Sequence, residues 1–557
     1  MSEQQAYIGI TLGPVFDTVN LATSPASLWA ASFLFSQLNR TICKLLTQNG
    51  VPEEDIISPY YSNDPNDPLL SRNDGVGMFH DRIIFKAGGF DINCFPELRR
   101  KAVDEIAALF ELDAAFLQQY VMARAVRFEA VHPFIESANR LNCLELAKPF
   151  VQCCPAHPIL TVFGGSEKHR NEQLKRIARK LTASPAEETE YRWQLLKRDG
   201  TICQLGEIAA DGVTTSTLKK HTYFALVRAD GDRMTQIMQS LSEEAATEGQ
   251  EDETLKRCRN FSKQCFAYCA EIADAVKRFG GVTIYAGGDD LLALLPCENR
   301  EGETVLSFVK TANEIFEQCF RDYNKDTSLS FGILLCYHKF PLYEGMEESE
   351  RLLFDVAKNR RNCVALRLQK HSGQSAGLLI DNSALPELLE LQKTALKPRN
   401  TAQNGGQAEK AEKDEKAEKD EKDEKDEKVI LSALYKLETF RALLQQAETE
   451  NEIKELFTNL FDAEAHTNSD FLHKRLPEFY YALRSKGLAI TPLTDEHKTE
   501  EEEADAKLGT ADAAEQQAAK RGDAAHATED TAEEALQSLC YVLRILKFFK
   551  EKEGKRG

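Results

Sequence analysis

The sequence lacks a long apolar run, which limits the class of protein it can be. No uninterrupted stretch of about 18 apolar residues occurs, so we expect no membrane-spanning helix and no membrane partner. The first residues, Met-Ser-Glu-Gln-Gln, do not form a basic region followed by an apolar core, so no signal peptide is visible. The 14 cysteines are scattered without the spacing of a small disulfide-rich domain. We therefore expect reduced thiols and a cytoplasmic location.

Two common ligand motifs are also missing. The Walker A pattern GxxxxGK[ST] does not occur, which disfavours a P-loop ATPase. No CxxC pair occurs either, although Cys153, Cys154 and His157, with His169 and Cys203 further along, form one half of a zinc site at best. We do not expect zinc to be bound there.

Length and charge set the remaining limits. A chain of 557 residues is too long for one hydrophobic core, so two to four domains are expected. The net charge of −20 argues against a broad surface that coats nucleic acid. Much of this charge lies in two low-complexity inserts, at about 400–428 and 495–534, which leaves local basic patches open. The first insert fits either a solvated helix or a disordered linker.

The most informative stretch is Tyr285-Ala-Gly-Gly-Asp-Asp-Leu291. Apolar runs lie on both sides of it, which predicts a β-hairpin with Gly287 and Gly288 in the connection. These glycines allow positive φ and a close approach of the backbone to a ligand. Asp289 and Asp290 follow at the tip of the hairpin. An Asp pair in a turn is usually turn chemistry alone, so support from elsewhere in the chain is needed.

That support lies upstream. The predicted strand His221–Ala229 runs into Asp230-Gly-Asp232, and a predicted helix from Asp252 to Phe279 separates it from the hairpin. In a ferredoxin-like βαββαβ sheet, the first strand and the hairpin strand can be neighbours, which would bring Asp230 and Asp289 to one edge. Converging carboxylates require a cation, and Mg²⁺ or Mn²⁺ shared with substrate phosphates fits best.

A later helix adds positive charge. A further strand is predicted at Thr327–Tyr337, and a helix from Leu352 to Asn362 carries Lys358 and Arg361. These cations could face phosphates, or they could be the solvated basic end of a helix.

Together, the DGD, GGDD and AKNRRN motifs resemble a nucleotide-cyclase or polymerase palm. The GGDD spelling and the segment NRRNCVALRLQKHSGQ more closely resemble the large subunit of type III CRISPR effector complexes, the Cas-ten family, Cmr-two branch. The resemblance runs in order through residues 7–372 and includes parts of the C-terminal region.

The resemblance implies roles for the motif residues. Asp230 and Asp289 would be metal ligands and catalytic, Asp232 a less secure metal ligand, and Asp290 a catalytic support. Substrate or cofactor contacts would come from Gly231, Gly287, Gly288, Lys358 and Arg361. Because the helix motif is one residue shorter than the AKxxGRN of related cyclases, the role of Arg361 is less secure.

The resemblance also implies the fold class, an α+β protein with two ferredoxin-like palms and a C-terminal helical bundle. We expect a degenerate first palm at 1–140, an inter-palm region at 141–215, the second palm at 216–372 and a helical domain at 373–557. The first half has Gly13-Pro-Val-Phe16 where the second has its DGD motif. It would either share a composite nucleotide pocket with the second palm or be purely structural.

Some members of the family carry a nuclease domain with a His-Asp metal pair before the first palm. His80-Asp81 leads directly into a predicted strand, and the predicted first palm begins at about residue 7. We interpret this dipeptide as structural and expect the nuclease domain to be absent.

The implied activity is nucleotidyl transfer from ATP, switched on by target RNA, to make a second messenger. The product would be a cyclic oligoadenylate, or a conjugate if S-adenosylmethionine is the co-substrate. The implied partners are other type III subunits, guide RNA and target RNA. A catalytically silent scaffold and a stand-alone cyclase remain alternatives.

Overall fold

The computed structural model describes most of the chain, and the following account concerns those residues. They are 5–20, 22–72, 74–130, 133–146, 167–181, 194–196, 203–211, 213, 218–248, 251–323, 326–396, 427–461, 470–493 and 524–552. The possible zinc ligands Cys153, Cys154 and His157 lie outside these residues, as do nearly all of the first insert and most of the second.

The N-terminal half is built around a four-stranded antiparallel sheet. Its strands are β1 (Gln5–Gly13), β2 (Ile56–Ser58), β3 (Arg82–Lys86) and β4 (Met122–Ala130), in the spatial order β2-β3-β1-β4. The helices of this part and of the connection that follows are α1 (Val15–Asn20), α2 (Pro25–Gln48), α3 (Phe95–Phe110), α4 (Ala114–Tyr120), α5 (Pro133–Leu146) and α6 (Glu167–Leu181). As the sequence predicts, α2 begins with Ser24 as N-cap and Pro25 in its first turn.

Two sequence predictions in this half are wrong. The sequence pattern predicts one long helix from about Pro96 to Ala123, but this helix ends at Phe110, because Glu111 adopts a left-handed conformation with φ of 58°. Asp113 then caps the short helix α4, and the chain continues as strand β4. The Pro, Asn and Asp content of residues 52–75 predicts a loop, but Ile56–Ser58 within it is a strand that pairs with β3.

The second half is built around a seven-stranded sheet. Its strands are β5 (Tyr223–Gly231), β6 (Val282–Gly287), β7 (Asp290–Pro296), β8 (Leu329–Tyr337), β9 (Cys363–Gln369), β10 (Ser375–Asp381) and β11 (Ile490–Pro492), in the order β11-β10-β9-β8-β5-β7-β6. The four strands β8-β5-β7-β6 have the same order as β4-β1-β3-β2 of the first sheet, which is the order of a ferredoxin-like fold. This agreement supports the predicted internal duplication and confirms the α+β class.

The helices of the second half connect and cover these strands. They are α7 (Leu205–Ala210), α8 (Met234–Glu248), α9 (Glu251–Arg278), α10 (Val305–Phe320), α11 (Leu342–Arg351) and α12 (Leu385–Leu396). Helix α9 ends where predicted, at Gly280 with φ of 92°. Helix α11 continues through a π-helical turn, Leu352–Ala357, into the short helical segment Lys358–Arg360.

The C-terminal region is mostly helical but not separate from the second sheet. Its helices are α13 (427–439), α14 (Arg441–Gln446), α15 (Glu450–Leu460), α16 (Leu476–Ser485) and α17 (Ala524–Phe548). The predicted boundary at 372 falls in the hairpin between β9 and β10, so the sheet extends beyond it. No helix in the described part of the chain combines the length and apolarity needed to cross a membrane.

Candidate active site

The site starts with the tight hairpin between β6 and β7. Gly287 pairs with Asp290, so Gly288 and Asp289 alone form the turn. Gly288 has φ of 72°, which a glycine adopts without the steric cost that a side chain would add. This geometry places Asp289 at the tip and Asp290 at the first position of the returning strand, as the sequence predicts.

Strand β5 brings the third carboxylate to the same place. It pairs antiparallel with β7, and Ala229 lies opposite Leu291, so the end of β5 is next to the hairpin tip. Carboxylate oxygens of Asp230, Asp289 and Asp290 all lie within 4.8 Å of one another. The structure thus unites three carboxylates from segments 59 residues apart in the sequence, as the ferredoxin-like topology predicts.

The crowding of these carboxylates changes their ionisation. Burial, followed by the neighbouring charge of Asp230, raises the pKa of Asp289 well above its ordinary value, and Lys358 only partly opposes this. Part of the Asp290 side chain is exposed, yet desolvation of its carboxyl and then the charges of Asp289 and Asp230 raise its pKa as well. A divalent cation would relieve this repulsion, and three carboxylates at this spacing suit Mg²⁺ or Mn²⁺.

Gly231 leaves room for this arrangement. A Cβ atom at residue 231 would lie 2.7 Å from Oδ2 of Asp289 and 2.9 Å from its Cβ. Any side chain here would therefore push Asp289 out of the cluster. At Gly287, an added Cβ would instead clash with the side chain of Tyr285.

Lys358 lies beside the cluster and contacts the end of β5. Its Nζ is 2.6 Å from Oδ2 of Asp230 and donates hydrogen bonds to the carbonyl oxygens of Asp230 (2.9 Å) and Gly231 (2.7 Å). The cation that the sequence predicts therefore lies at the site. Arg361 is exposed at the end of the same helical segment, and its side chain is not held by the cluster.

Asp232 is not brought into the cluster. Its carboxylate is buried, with 2% of the residue exposed, and it is saturated by protein donors. These donors are Oγ of Ser328 (2.7 Å), Oγ of Ser330 (2.9 Å), Nζ of Lys358 (3.0 Å) and the backbone N–H of Asn362 (2.9 Å). The DGD motif suggested that Asp232 is a metal ligand. Strand β5 ends at Gly231, however, and Asp232 bonds the donors given above instead.

A cavity of about 140 Å³ adjoins the cluster and is lined by both halves of the chain. The second half contributes Asp290, Tyr285 and Arg228, and the first half contributes residues of α1 and α2 and the segment around Phe79 and Asp81. The walls are mostly apolar and aromatic. A backbone hydrogen bond from Ala286 N–H to the carbonyl of Gly77 (3.0 Å) joins the halves beside the hairpin.

Sequence reasoning missed the polar groups of this cavity. Ser32 is 5% exposed, and its Oγ has no hydrogen-bond partner among the described residues. Arg228 is 8% exposed, and its guanidinium donates from Nε to Oγ of Ser349 (3.2 Å) and pairs through Nη2 with Oε2 of Glu350 (3.5 Å). Buried polar atoms are normally satisfied, so Oγ of Ser32 points to a polar ligand or water in the cavity. An isolated Ser in an apolar helix and an Arg within a strand gave no distinctive sequence signal.

His80 and Asp81 are neighbours in the sequence but differ in their surroundings. His80 accepts a hydrogen bond from the N–H of Arg82 (3.2 Å) and bonds Oγ of Ser58 (3.0 Å), while burial lowers its pKa to about 4. This agrees with a structural role for His80. Asp81, in contrast, lines the cavity, which the sequence did not indicate.

Comparison with known proteins gives one match to a family and one to a curated relative. Residues 223–365 match the family described as Cas10/Cmr2, second palm domain. A segment of 95 residues is 38% identical to the CRISPR system Cmr subunit Cmr2 of Pyrococcus furiosus. That segment is 17% of this chain and 11% of the relative, so the chain matches only a small part of that protein's length.

Similarity to solved structures extends over more of the chain. A type III-B Cmr-beta structure bound to cognate target RNA has a TM-score of 0.51, with 10% identity over 88% of this chain and 81% of the other. The apo state of Cmr-beta has a TM-score of 0.52, with 11% identity over 89% and 80% of the two chains. At this identity, the similarity establishes the fold alone.

Proposed function

We propose that the chain is a type III large subunit of the Cas10/Cmr2 family, whose second palm domain matches residues 223–365, and that it is a metal-dependent nucleotidyltransferase that uses ATP. The observation that carries the proposal is the meeting of Asp230, Asp289 and Asp290 within 4.8 Å beside a cavity between the two halves. A structural turn needs no third carboxylate from a distant strand, and like charges held this close are costly without a cation.

The three carboxylates would hold Mg²⁺ or Mn²⁺, with the carbonyl of Gly231 nearby. When bound, such ions would supply activation of the attacking oxygen and stabilisation of the leaving group.

The chain's own residues would bind and orient the nucleotide. The cavity, with aromatic walls and the polar edges of Ser32 and Arg228, would receive the base, and Lys358 would neutralise triphosphate charge, aided by Arg361. A 3′-hydroxyl would then form a bond to the α-phosphorus as the bond to the β-phosphate oxygen breaks. Pyrophosphate leaves, and the hydroxyl proton passes to a base at the site or to water.

The wider biological role follows the family. We propose that the protein assembles in the cytoplasm with other type III subunits, guide RNA and target RNA, and that target RNA switches on the synthesis of a second messenger. The product would be a cyclic oligoadenylate, with an S-adenosylmethionine conjugate as the alternative. Exposed apolar side chains on α13 and α14, among them Tyr435 and Leu443 at 71% and 48% exposure, favour assembly over a stand-alone cyclase.

The test incubates the assembled complex with ATP and Mn²⁺ or Mg²⁺, with and without target RNA and S-adenosylmethionine. Wild type is compared with the double substitution Asp289→Ala/Asp290→Ala, and we expect product from wild type alone. Equal product from both proteins would exclude this site as the source. Absence of product under every condition would favour the silent scaffold.

A further inference from the structure

Asp232 has an unusually complete set of partners for a carboxylate next to a metal site. Four donor groups occupy its two oxygens, and they come from β8 and the segment before it, from Lys358 and from the turn that follows Lys358. It is 2% exposed, and it is not part of the group of carboxylates formed by Asp230, Asp289 and Asp290. A metal ligand at this position would have to give up several of these bonds.

The bonds that Asp232 makes hold two features in place. One is the ammonium of Lys358, which lies 3.0 Å from Oδ1 of Asp232 and 2.6 Å from Oδ2 of Asp230. The other is the backbone after the helical segment, where Arg361 and Asn362 both have positive φ, 65° and 50°. Positive φ is unfavourable for residues with a side chain, so the surrounding structure must stabilise these two consecutive residues.

Asp232 supplies that stabilisation directly. Its Oδ2 accepts the N–H of Asn362, the second strained residue, at 2.9 Å. The carbonyl and side chain of Asn362 are held in turn by Asn382, at 2.9 Å in each case. Asp232 and Asn382 therefore both hold the turn that ends the Lys358 segment. This fixes the position of the Arg361 backbone.

We propose that Asp232 is a positioning residue, which orients Lys358 and the Arg361–Asn362 turn toward the nucleotide phosphates, and that it is not a metal ligand. This inference rests on the proposed function, since it assumes that Lys358 meets phosphates. It revises the role that the DGD motif suggested for the residue, and it assigns the metal cluster to the other three carboxylates.

The test measures metal and nucleotide binding separately on the full chain. Titration with Mn²⁺ alone, followed by electron paramagnetic resonance, is applied to wild type, Asp232→Asn and Asp230→Asn. Because ligand charge sets affinity, we expect Asp230→Asn to weaken Mn²⁺ binding at least about tenfold and Asp232→Asn to stay within about twofold of wild type. Equal weakening by both substitutions would make Asp232 a ligand and overturn the proposal.

The nucleotide measurement asks whether Asp232 acts through Lys358. We expect the dissociation constant for ATP with Mn²⁺ to rise about tenfold in Asp232→Asn, and the double substitution with Lys358→Met to be no weaker than Lys358→Met alone, because coupled residues are not additive. If the losses of ATP affinity in Asp232→Asn and Lys358→Met instead add up in the double substitution, Asp232 does not act through Lys358 and affects the fold only. Asp355→Asn, an exposed carboxylate on the same helix, is the matched control and should leave ATP affinity unchanged.

A second pair of variants keeps the test decisive if Asp232→Asn does not fold. Ser328→Ala and Ser330→Ala each remove one donor to Asp232, and we expect weaker ATP binding with unchanged Mn²⁺ binding. Unchanged ATP affinity in both would overturn the proposal. If wild type binds Mn²⁺ and ATP but forms no product, the proposed function fails, while these binding measurements still decide the role of Asp232.

Discussion

Gly231 is the residue whose replacement most directly tests the geometry of the cluster. In Gly231→Ala, the new Cβ would lie 2.7 Å from Oδ2 of Asp289 and 2.9 Å from Cγ of Met234, so the carboxylate must move. A displacement of about 1 Å at a catalytic group can cost about 100-fold in rate, and we expect a loss of at least about that size in ATP turnover. Gly89→Ala, where the added Cβ would contact nothing within 4 Å, is the control. Equal activity of the two variants would contradict the placement of Asp289.

The raised pKa values of Asp289 and Asp290 predict a pH dependence of metal binding. Both carboxyls hold protons more tightly than free carboxyls do, so a cation must displace these protons. Mn²⁺ affinity should therefore increase with pH through the neutral range, by up to about tenfold per unit for each displaced proton. Calorimetry in two buffers of different ionisation enthalpy would count the released protons. Asp290→Asn should flatten the dependence, because it removes one of the repelling charges.

The same shifts affect stability with the opposite sign. A carboxyl with a raised pKa in the folded state binds more protons folded than unfolded, so metal-free protein loses stability as the pH rises above the ordinary carboxyl pKa. Thermal unfolding with and without Mn²⁺ should show stabilisation by the metal that grows with pH. A metal effect independent of pH would indicate that the carboxylates are not its ligands.

At the level of elements, the sequence predicted the part of the fold that surrounds the site. The hairpin, the strand ending in Asp230 and helix α9 follow from apolar runs, glycines and helical spacing, and their antiparallel pairing follows from the ferredoxin-like topology. Strand β4 was missed because its arginines and glutamate break the apolar pattern of a strand. Its place in the sheet depends on pairing with β1, a long-range contact that local spacing does not reveal.

The polar contacts of the site were predicted less completely. Motif position suggested that Asp230 and Asp232 act together, and only the three-dimensional structure shows that Asp232 bonds Ser328, Ser330 and Asn362 instead. The unpaired Oγ of Ser32 likewise becomes visible only when the two halves are packed together. Sequence reasoning located the carboxylates and the cation but could not determine which neighbours each one bonds.

The end of helix α17 is attached to the second sheet by a partly buried ionic contact, which can be tested at the element scale. Glu551 accepts hydrogen bonds from Lys219 and Lys370, both at 2.7 Å, and is 16% exposed at its side chain. We expect Glu551→Gln to cost about 1–2 kcal/mol, because hydrogen bonds to charged groups are the stronger kind. Glu390→Gln breaks an exposed pair with Lys393 and should cost less than about 1 kcal/mol. Thermal denaturation of the two variants makes the comparison.

The pH dependence of that contact provides its own check. Although burial opposes the charged form, the hydrogen bonds from Lys219 and Lys370 hold the pKa of Glu551 below its ordinary value. Its contribution to stability is therefore present above the ordinary carboxyl pKa and lost as the pH falls through the lowered value. The stability difference between wild type and Glu551→Gln should shrink over that acid range. A constant difference would mean that packing, not charge, holds the helix end.

At the scale of the whole molecule, the first half would contribute to activity without any carboxylate of its own at the cluster. It lines the cavity through α1, α2 and the segment around Phe79, and it is joined to the second half by the bond from Ala286 to Gly77 and by the ion pair of Arg72 with Asp274 at 2.8 Å. In the function that we propose, the second half therefore binds the metal and the phosphates, and both halves together bind the base.

This division predicts that a change in the first half alone can impair nucleotide binding. In Ser32→Leu, the larger side chain would occupy part of the 140 Å³ cavity from helix α2 without replacing any of the three carboxylates. We expect ATP affinity to fall at least about tenfold, or about 1.4 kcal/mol, while Mn²⁺ affinity and the melting temperature stay close to wild type. Thr41→Leu on the same helix lies away from this cavity and is the matched control. Unchanged ATP affinity in Ser32→Leu, measured beside that control, would show that the cavity does not receive the base and would return the first half to a structural role.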